Sequence, residues 1–382
     1  MRGFVSMPII TIDYTSAVHQ RAGIGRFTRE LIHALAETAG DYHFRLFVAG
    51  RAKNQLLSLP GSQFSWRNTR IPAKHLTRIW HRLRMPLPVE LFSGKTDLFH
   101  APDFSLPPTL PGTRRLVMVH DLSFEKVSET FTPWLLRYLR QVVPRALHRA
   151  DHIIANSFST RNDYVEHFAL DERKFTVIHG GISPKFHTQQ RDTTKPMDPE
   201  PGPPFVLAVG TLQPRKNYPR LIEAVSRLRA KGSELELVIV GGPGWLGEEI
   251  YETRERLGMQ AAVHLRGYVA EEELPALYRR ARIFAYPSLY EGFGFPLLEA
   301  MACGTPTLTA AVSSLPETAQ DATYYIDPYD VEAIEEGLRR LHEDEALRQE
   351  LIAKGYERVQ QFSWQKAAKT LLKVYDRMLS EG

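Results

Sequence analysis

Short apolar runs, many of them β-branched, recur along this 382-residue chain, each followed by a turn and then by apolar positions at helical spacing. In the first half the runs are MPIITIDY, FRLFVAG, TDLFHAP, RLVMVHDL, HIIANS and FTVIHGG. In the second they are FVLAVGT, LELVIVGG, VHLRGYV, RIFAYPS, TPTLTAA and TYYID. Runs of this kind read as strands buried on both faces, and their alternation with helices predicts parallel sheets covered by helices. Residues 184–204, rich in proline and polar side chains and without either periodicity, read as a linker. The expected organisation is two doubly wound α/β domains, 1–183 and 205–363, and a terminal helix at 364–382 with Ala367, Leu371, Leu372, Val374, Tyr375 and Leu379 at helical spacing. In such sheets ligands bind beyond the carboxyl ends of the strands, so the chemistry is sought there.

Composition narrows the class. With 43% hydrophobic and 24% charged residues the chain reads as a soluble globular protein, and no apolar run is long enough for a membrane-spanning helix. The apolar stretch at the N-terminus is too short for a secretory signal, and a single cysteine, Cys303, fits a reducing cytoplasm. Charge is lopsided: residues 1–195 carry 27 Lys and Arg against 16 Asp and Glu, and residues 196–382 carry 21 against 28. A basic first half suggests an anionic partner, such as a phospholipid surface, a pyrophosphate-linked lipid or a nucleic acid.

Candidate chemistry gathers at the predicted strand ends. In PSLYEGFGFPLLEAMACGTP, residues 287–306, Glu291 and Glu299 stand eight positions apart across a loop opened by Gly292 and Gly294. Pro296 suits the start of a helix, which would place Glu299 in its first turn, where a carboxylate favours the helix dipole. The glycines let backbone N–H groups approach a polar ligand, and a carboxylate beside them accepts from hydroxyls. After FVLAVGT come Arg215 and Lys216, either a solvated basic pair or phosphate ligands. Gly23, Gly25 and Arg26 form a glycine turn after the first run, and His120 and Asp121 end RLVMVHDL. Asn156 and Ser157 follow HIIA, where Ser157 equally suits a helix cap.

Together these segments resemble the GT4 family of retaining glycosyltransferases, whose GT-B fold sets two Rossmann-like domains facing a central cleft. The Glu-x7-Glu spacing carries the resemblance most strongly. It implies that Glu291 holds the transferred sugar and Glu299 the ribose of the nucleotide. Gly292, Phe293, Gly294, Phe295 and Leu298 would line the donor. By the same resemblance Arg215 and Lys216 neutralise the leaving diphosphate beside Gly210 and Thr211. Thr211 stands where many members carry Arg, so that role passes to Arg215. Tyr268 and Val269 are further implied donor contacts. Gly23, Gly25 and Arg26 would close over the donor phosphate, His120 would reach the sugar near its reacting carbon, and Asp121, Asn156 and Ser157 would line the acceptor side. The terminal helix returns to the N-terminal domain in this fold. GTLQPRKN and VHD look most like mannosyltransferases using GDP-mannose, with UDP-glucose and UDP-N-acetylglucosamine left open.

The implied partners are a nucleotide sugar and a glycan or lipid-linked acceptor, with no nucleic acid. No Asp-x-Asp triplet follows a strand and no metal-ligand spacing occurs, so no cofactor or metal is expected. A non-catalytic nucleotide- or glycan-binding protein on the same fold is the rival from another class. A dinucleotide oxidoreductase would need a fuller glycine fingerprint, and VGGPGWLGEE lacks the ending of a phosphate-binding Walker loop. Residues 67–88, basic and interleaved with Leu76, Ile79, Trp80 and Leu83, read either as a helix lying on an anionic membrane or as a solvated helix using those groups for packing.

Overall fold

The computed structural model describes residues 7–20, 23–38, 42–50, 61–187 and 202–380. Thirteen strands are found among them, all in parallel pairs: β1 Ile9–Asp13, β2 His43–Val48, β3 Phe64–Asn68, β4 Leu98–Ala101, β5 Arg114–Val119, β6 His152–Ala155 and β7 Phe175–Val177 form one sheet. The second sheet holds β8 Phe205–Val209, β9 Glu236–Val240, β10 Val263–Leu265, β11 Ile283–Tyr286, β12 Thr307–Ala310 and β13 Tyr324–Ile326. All twelve apolar runs contain strands. The polar edge strand β3 was not expected, because of its five residues only Phe64 is buried.

The chain divides into two compact units. Unit 1 comprises Met1–Asp121, Arg137–Gly181 and Ser363–Gly382; unit 2 comprises Leu122–Leu136 and Ile182–Phe362. Leu122–Leu136 thus groups with unit 2, although the sequence placed it in the N-terminal domain.

In unit 1 the strand order is β3-β2-β1-β4-β5-β6-β7. Ile10 sits opposite both Phe44 and Leu98, and all three are fully buried. The helix Ile24–Thr38 buries Phe27, Leu31, Ile32 and Leu35, the stripe its spacing demands. The terminal helix Trp364–Ser380 belongs to this unit, with Trp364 meeting Phe27 edge-on at 5.1 Å and Tyr375 hydrogen-bonded to His100 at 2.8 Å. Met378, rather than Leu372 or Leu379, completes its buried face. Residues 67–88 do not form one helix: Ala73–Thr77 is α-helical and Arg78–Arg82 a π turn. Leu76 is buried, and Trp80 donates to Leu87 O at 2.8 Å and packs on Phe92, whereas Leu83 is 58% exposed.

In unit 2 the order is β10-β9-β8-β11-β12-β13, over a core that includes Leu207, Leu237, Ile239, Phe284, Leu297 and Leu308. Part of the expected linker belongs to this core. Pro184–Phe186 is a 3-10 turn whose Phe186 is fully buried, and Phe205 already starts β8; residues 188–201 of the linker lie outside the described residues. Cys303 is buried too, with its thiol 3.7 Å from Phe186 O and its pKa pushed up to about 12 by burial. Among the described residues no helix is long and apolar enough to cross a membrane.

Candidate functional site

In unit 2 the sheet order reverses between β8 and β11, so the carboxyl ends of these neighbours are where a doubly wound sheet receives a ligand. β8 runs into Gly210, where a side chain would not fit: a Cβ would stand 2.9 Å from Lys216 Cε and 3.0 Å from the Tyr218 hydroxyl. The chain then forms a 3-10 turn, Pro214–Lys216. It enters the helix Tyr218–Ala230 through Asn217, held left-handed at φ 59°. Asn217 Nδ2 donates to Pro287 O at 3.0 Å and Pro328 O at 2.6 Å, and Leu289 N donates to Arg215 O at 2.9 Å. These bonds fix the loop after β8 against the loop after β11.

The charges meet there. Arg215 Nη1 lies 2.8 Å from Glu291 Oε2, and Lys216 Nζ lies 2.7 Å from Glu291 Oε1. Lys216 Nζ also donates to the Tyr286 hydroxyl at 2.7 Å, and Arg215 Nη1 to Tyr290 O at 2.5 Å. The three side chains are only 13%, 8% and 8% exposed for Arg215, Lys216 and Glu291. Burial alone would push the Glu291 carboxyl up, but Arg215 and Lys216 outweigh it and bring it down to about 2. Burial first, then the Glu291 charge, lifts Tyr286 well above the ordinary phenol range, so it stays protonated. Two cations thus share one carboxylate in a pocket largely shielded from water, where charge interactions are strong.

Backbone geometry holds the carboxylate in place. Glu291 N donates to Ser313 Oγ and Ser314 Oγ donates to Glu291 O, both at 2.8 Å. Gly294, at φ 106°, caps the helix Phe295–Ala302. Glu299 is therefore the fifth helical residue and not in the first turn, because the helix opens at Phe295 rather than Pro296. At 2% exposure, accepting from the Tyr278 hydroxyl at 2.9 Å, it is poorly explained by the helix dipole. Phe293 and Leu298 turn their side chains into the core, and Phe293 packs on Phe295 and Phe362. Thr211 sits in a loop pressed backbone to backbone on the next one: a Cβ on Gly241 would lie 1.9 Å from Gly210 O, and Leu212 N donates to Gly242 O at 3.0 Å. Tyr268, 52% exposed, and Val269, partly buried, follow β10.

The unit 1 candidates stand at strand ends of their own sheet. His120 follows β5 and gives its Nε2–H to Pro102 O at 2.7 Å, with Phe27 edge-on at 5.5 Å. Burial lowers its pKa, so the imidazole is neutral. Asp121 O accepts from the Tyr164 hydroxyl at 2.9 Å. Asn156 is buried after β6, and its Oδ1 has no hydrogen-bond partner among the described residues. Ser157 is fully buried and accepts from Thr160 N at 2.9 Å as the cap of Phe158–Phe168. Gly23 is left-handed at φ 59°. Gly25 is needed for packing, since a Cβ would fall 2.3 Å from Gln20 O and 2.5 Å from Ser16 O. Arg26 is partly buried in the helix that follows; Arg21 and Ala22 of the same motif lie outside the described residues.

Sequence reasoning missed Tyr286, Asn217, Tyr278 and the Ser313–Ser314 pair. A tyrosine closing the apolar strand IFAY was the available signal for the first. Depressions of about 670 and 600 Å³ on unit 2 are lined by other residues than Arg215, Lys216 and Glu291.

Two family descriptions fit this chain without overlapping: "Glycosyltransferase Family 4" over residues 21–186 and "Glycosyl transferases group 1" over residues 190–358. The chain belongs to the glycosyltransferase family that these two domains describe, and it is a transferase enzyme. The O-antigen chain mannosyltransferase B of Escherichia coli is 28% identical over 92% of this chain and 95% of its own length. In fold, sucrose-phosphate synthase from Thermosynechococcus elongatus matches with TM-score 0.76 at 22% identity, covering 99% of this chain and 100% of its own. The Anabaena HepE protein, solved with UDP and glucose, matches with TM-score 0.72 at 18% identity, covering 97% and 100%. The two parallel-sheet units are the Rossmann-like domains of the GT-B architecture.

Proposed function

We propose that the protein is a retaining hexosyltransferase that moves mannose from GDP-mannose to a hydroxyl of a glycan or lipid-linked acceptor. One observation carries the reading: the buried Arg215–Lys216–Glu291 cluster at the point where the unit 2 sheet reverses order. Arg215 and Lys216 take the diphosphate and stabilise the charge that develops as it leaves, the kind of preorganised stabilisation worth about 100-fold or more in rate. They supply this charge without a metal ion, so transfer is expected to persist in excess chelator. A carboxylate has about four lone-pair sites, so Glu291 can pair with two cations and still accept from sugar hydroxyls. Glu299 takes the ribose. His120, with Nε2–H given to Pro102, offers Nδ1 as an acceptor for a hydroxyl. The donor's own phosphate oxygen deprotonates the incoming hydroxyl on the same face, and no side chain is assigned as a nucleophile.

The mannose assignment leans on the mannosyltransferase relative, which is similar along almost the whole chain. A UDP-hexose donor is the second reading, favoured by the fold neighbour solved with UDP and glucose. Calorimetry with GDP and UDP, followed by transfer assays with GDP-mannose, UDP-glucose and UDP-N-acetylglucosamine, separates them. Tight GDP binding and mannosyl transfer are expected. Tight UDP binding with none for GDP removes mannose, and nucleotide binding without hydrolysis or transfer of any donor points to a non-catalytic binding protein.

A further inference from the structure

Unit 1 has a reversal point of its own, between β1 and β4. Asp13 ends β1, and Asp103 lies two residues beyond β4. Both border a hollow of about 250 Å³ whose wall also includes Ser16, Trp80, His81 and Phe104. Asp13 Oδ1 accepts from Thr15 N at 3.0 Å and Asp103 Oδ1 from Phe104 N at 2.7 Å. Ser16 Oγ, shielded from water, has no hydrogen-bond partner among the described residues. Although residues 1–195 are strongly basic, no lysine or arginine is among the described lining residues.

The electrostatics sharpen that picture. Burial raises the Asp103 carboxyl to about 7, with Phe104 N–H opposing and Asp13 adding to the rise. Burial raises Asp13 as well. His81 falls to about 4, through burial and then through Arg149 and Arg145, so it is neutral at pH 7. A phosphate or carboxylate entering the hollow would meet two carboxyl groups and, among the described lining residues, no lysine or arginine. A polyol would meet carboxyl groups that accept from and donate to hydroxyls, with aromatic rings for its C–H faces. The volume falls just under the range of roughly 300–1,000 Å³ usual for small-molecule pockets, which suits one sugar ring and not a longer glycan.

We propose that this hollow at the ends of β1 and β4 seats the acceptor, and that the group it takes is a single uncharged hexose unit held by Asp13 and Asp103. The proposal rests on the glycosyltransfer reading above and adds the acceptor's chemical class.

The test uses the full chain and three probes: methyl α-mannoside, methyl α-glucoside and, as the charged control, mannose 6-phosphate. Binding is read by saturation-transfer NMR, and GDP and UDP affinities are read by calorimetry on the same samples. At least one glycoside is expected to bind, mannose 6-phosphate at least tenfold more weakly. Asp13→Asn and Asp103→Asn should each weaken the glycoside at least tenfold. Ser105→Leu, which fills the hollow and leaves both carboxyl groups in place, should abolish binding, so that a shared loss reports occupancy rather than unfolding. Glycoside binding that survives all three substitutions, or a sugar phosphate that binds as well as the glycosides, overturns the proposal. Nucleotide affinity with no glycoside binding defeats this inference alone, whereas loss of nucleotide binding and transfer in the wild-type chain defeats the reading beneath it.

Discussion

At the ends of β8 and β11 a buried carboxylate meets two cations; at the ends of β1 and β4 two carboxyl groups border a hollow with no lysine or arginine among its described lining residues. Both places are the reversal points of parallel sheets, and burial pushes the acids of both upward in pKa. The outcome is set by what stands beside them. Glu291 ends at about 2 and is a permanent anion that holds Arg215 and Lys216 in position. Asp103 ends at about 7 and exchanges its proton near neutrality. The same topology thus yields an ion-paired cluster in unit 2 and a hollow bordered by carboxyl groups of raised pKa in unit 1, and the difference lies in two side chains on one loop.

The contrast is most exposed at Glu291. Replacing it with alanine strands two buried cations, and breaking a buried pair in this way costs about 3–5 kcal/mol. Chemical denaturation of the Glu291→Ala variant should show that loss together with lost transfer; unchanged stability would mean the cluster is not buried as described. Lys216→Ala leaves Glu291 with Arg215, so the main loss should be catalytic, at least about 100-fold in transfer rate. Near-normal turnover would detach the cluster from the reaction. The pH dependence follows from the direction of the Glu291 shift. Its pKa falls from 4.5 to about 2 on folding, so its stabilisation is complete above 4.5 and is lost as pH drops toward 2. The stability difference between wild type and Glu291→Gln should be flat from pH 7 to 5 and shrink below that, and a difference that instead grows on acidification would reverse the assignment. The smallest effect belongs to Ser157→Ala, expected to cost about 1 kcal/mol of stability as a lost helix cap and to leave transfer intact. A large fall in transfer there would return Ser157 to the acceptor side.

Some of this was visible in the chain itself. RLVMV and FVLAV were legible as strands because they are short, rich in β-branched residues and followed by turn signals. FSWRN was hidden because an edge strand exposes its polar residues and needs no such run. The residue types of the unit 2 cluster were legible, since Arg, Lys and Glu beside glycine turns stand out at predicted strand ends. Their mutual pairing was not: Lys216 and Glu291 are 75 positions apart, and only the adjacency of β8 and β11 joins them. Asp13 and Asp103 left no mark at all, because a lone aspartate at the end of a strand belongs to no motif. Ser157 was ambiguous for a physical reason, as a hydroxyl after a strand serves a helix cap or a ligand equally well until the structure shows the N–H it accepts.

The buried thiol of Cys303 has a practical consequence. It is the only sulfhydryl in the sequence, and with its pKa near 12 and no access to solvent it is a poor target for maleimide or iodoacetamide reagents at neutral pH. A cysteine introduced at an exposed position such as Leu91 in unit 1 or Tyr329 in unit 2 would therefore carry a fluorophore or spin label at one defined place, with the native residue left untouched. Pairs of such labels would make the distance between the units a measurable quantity as nucleotide and sugar are added.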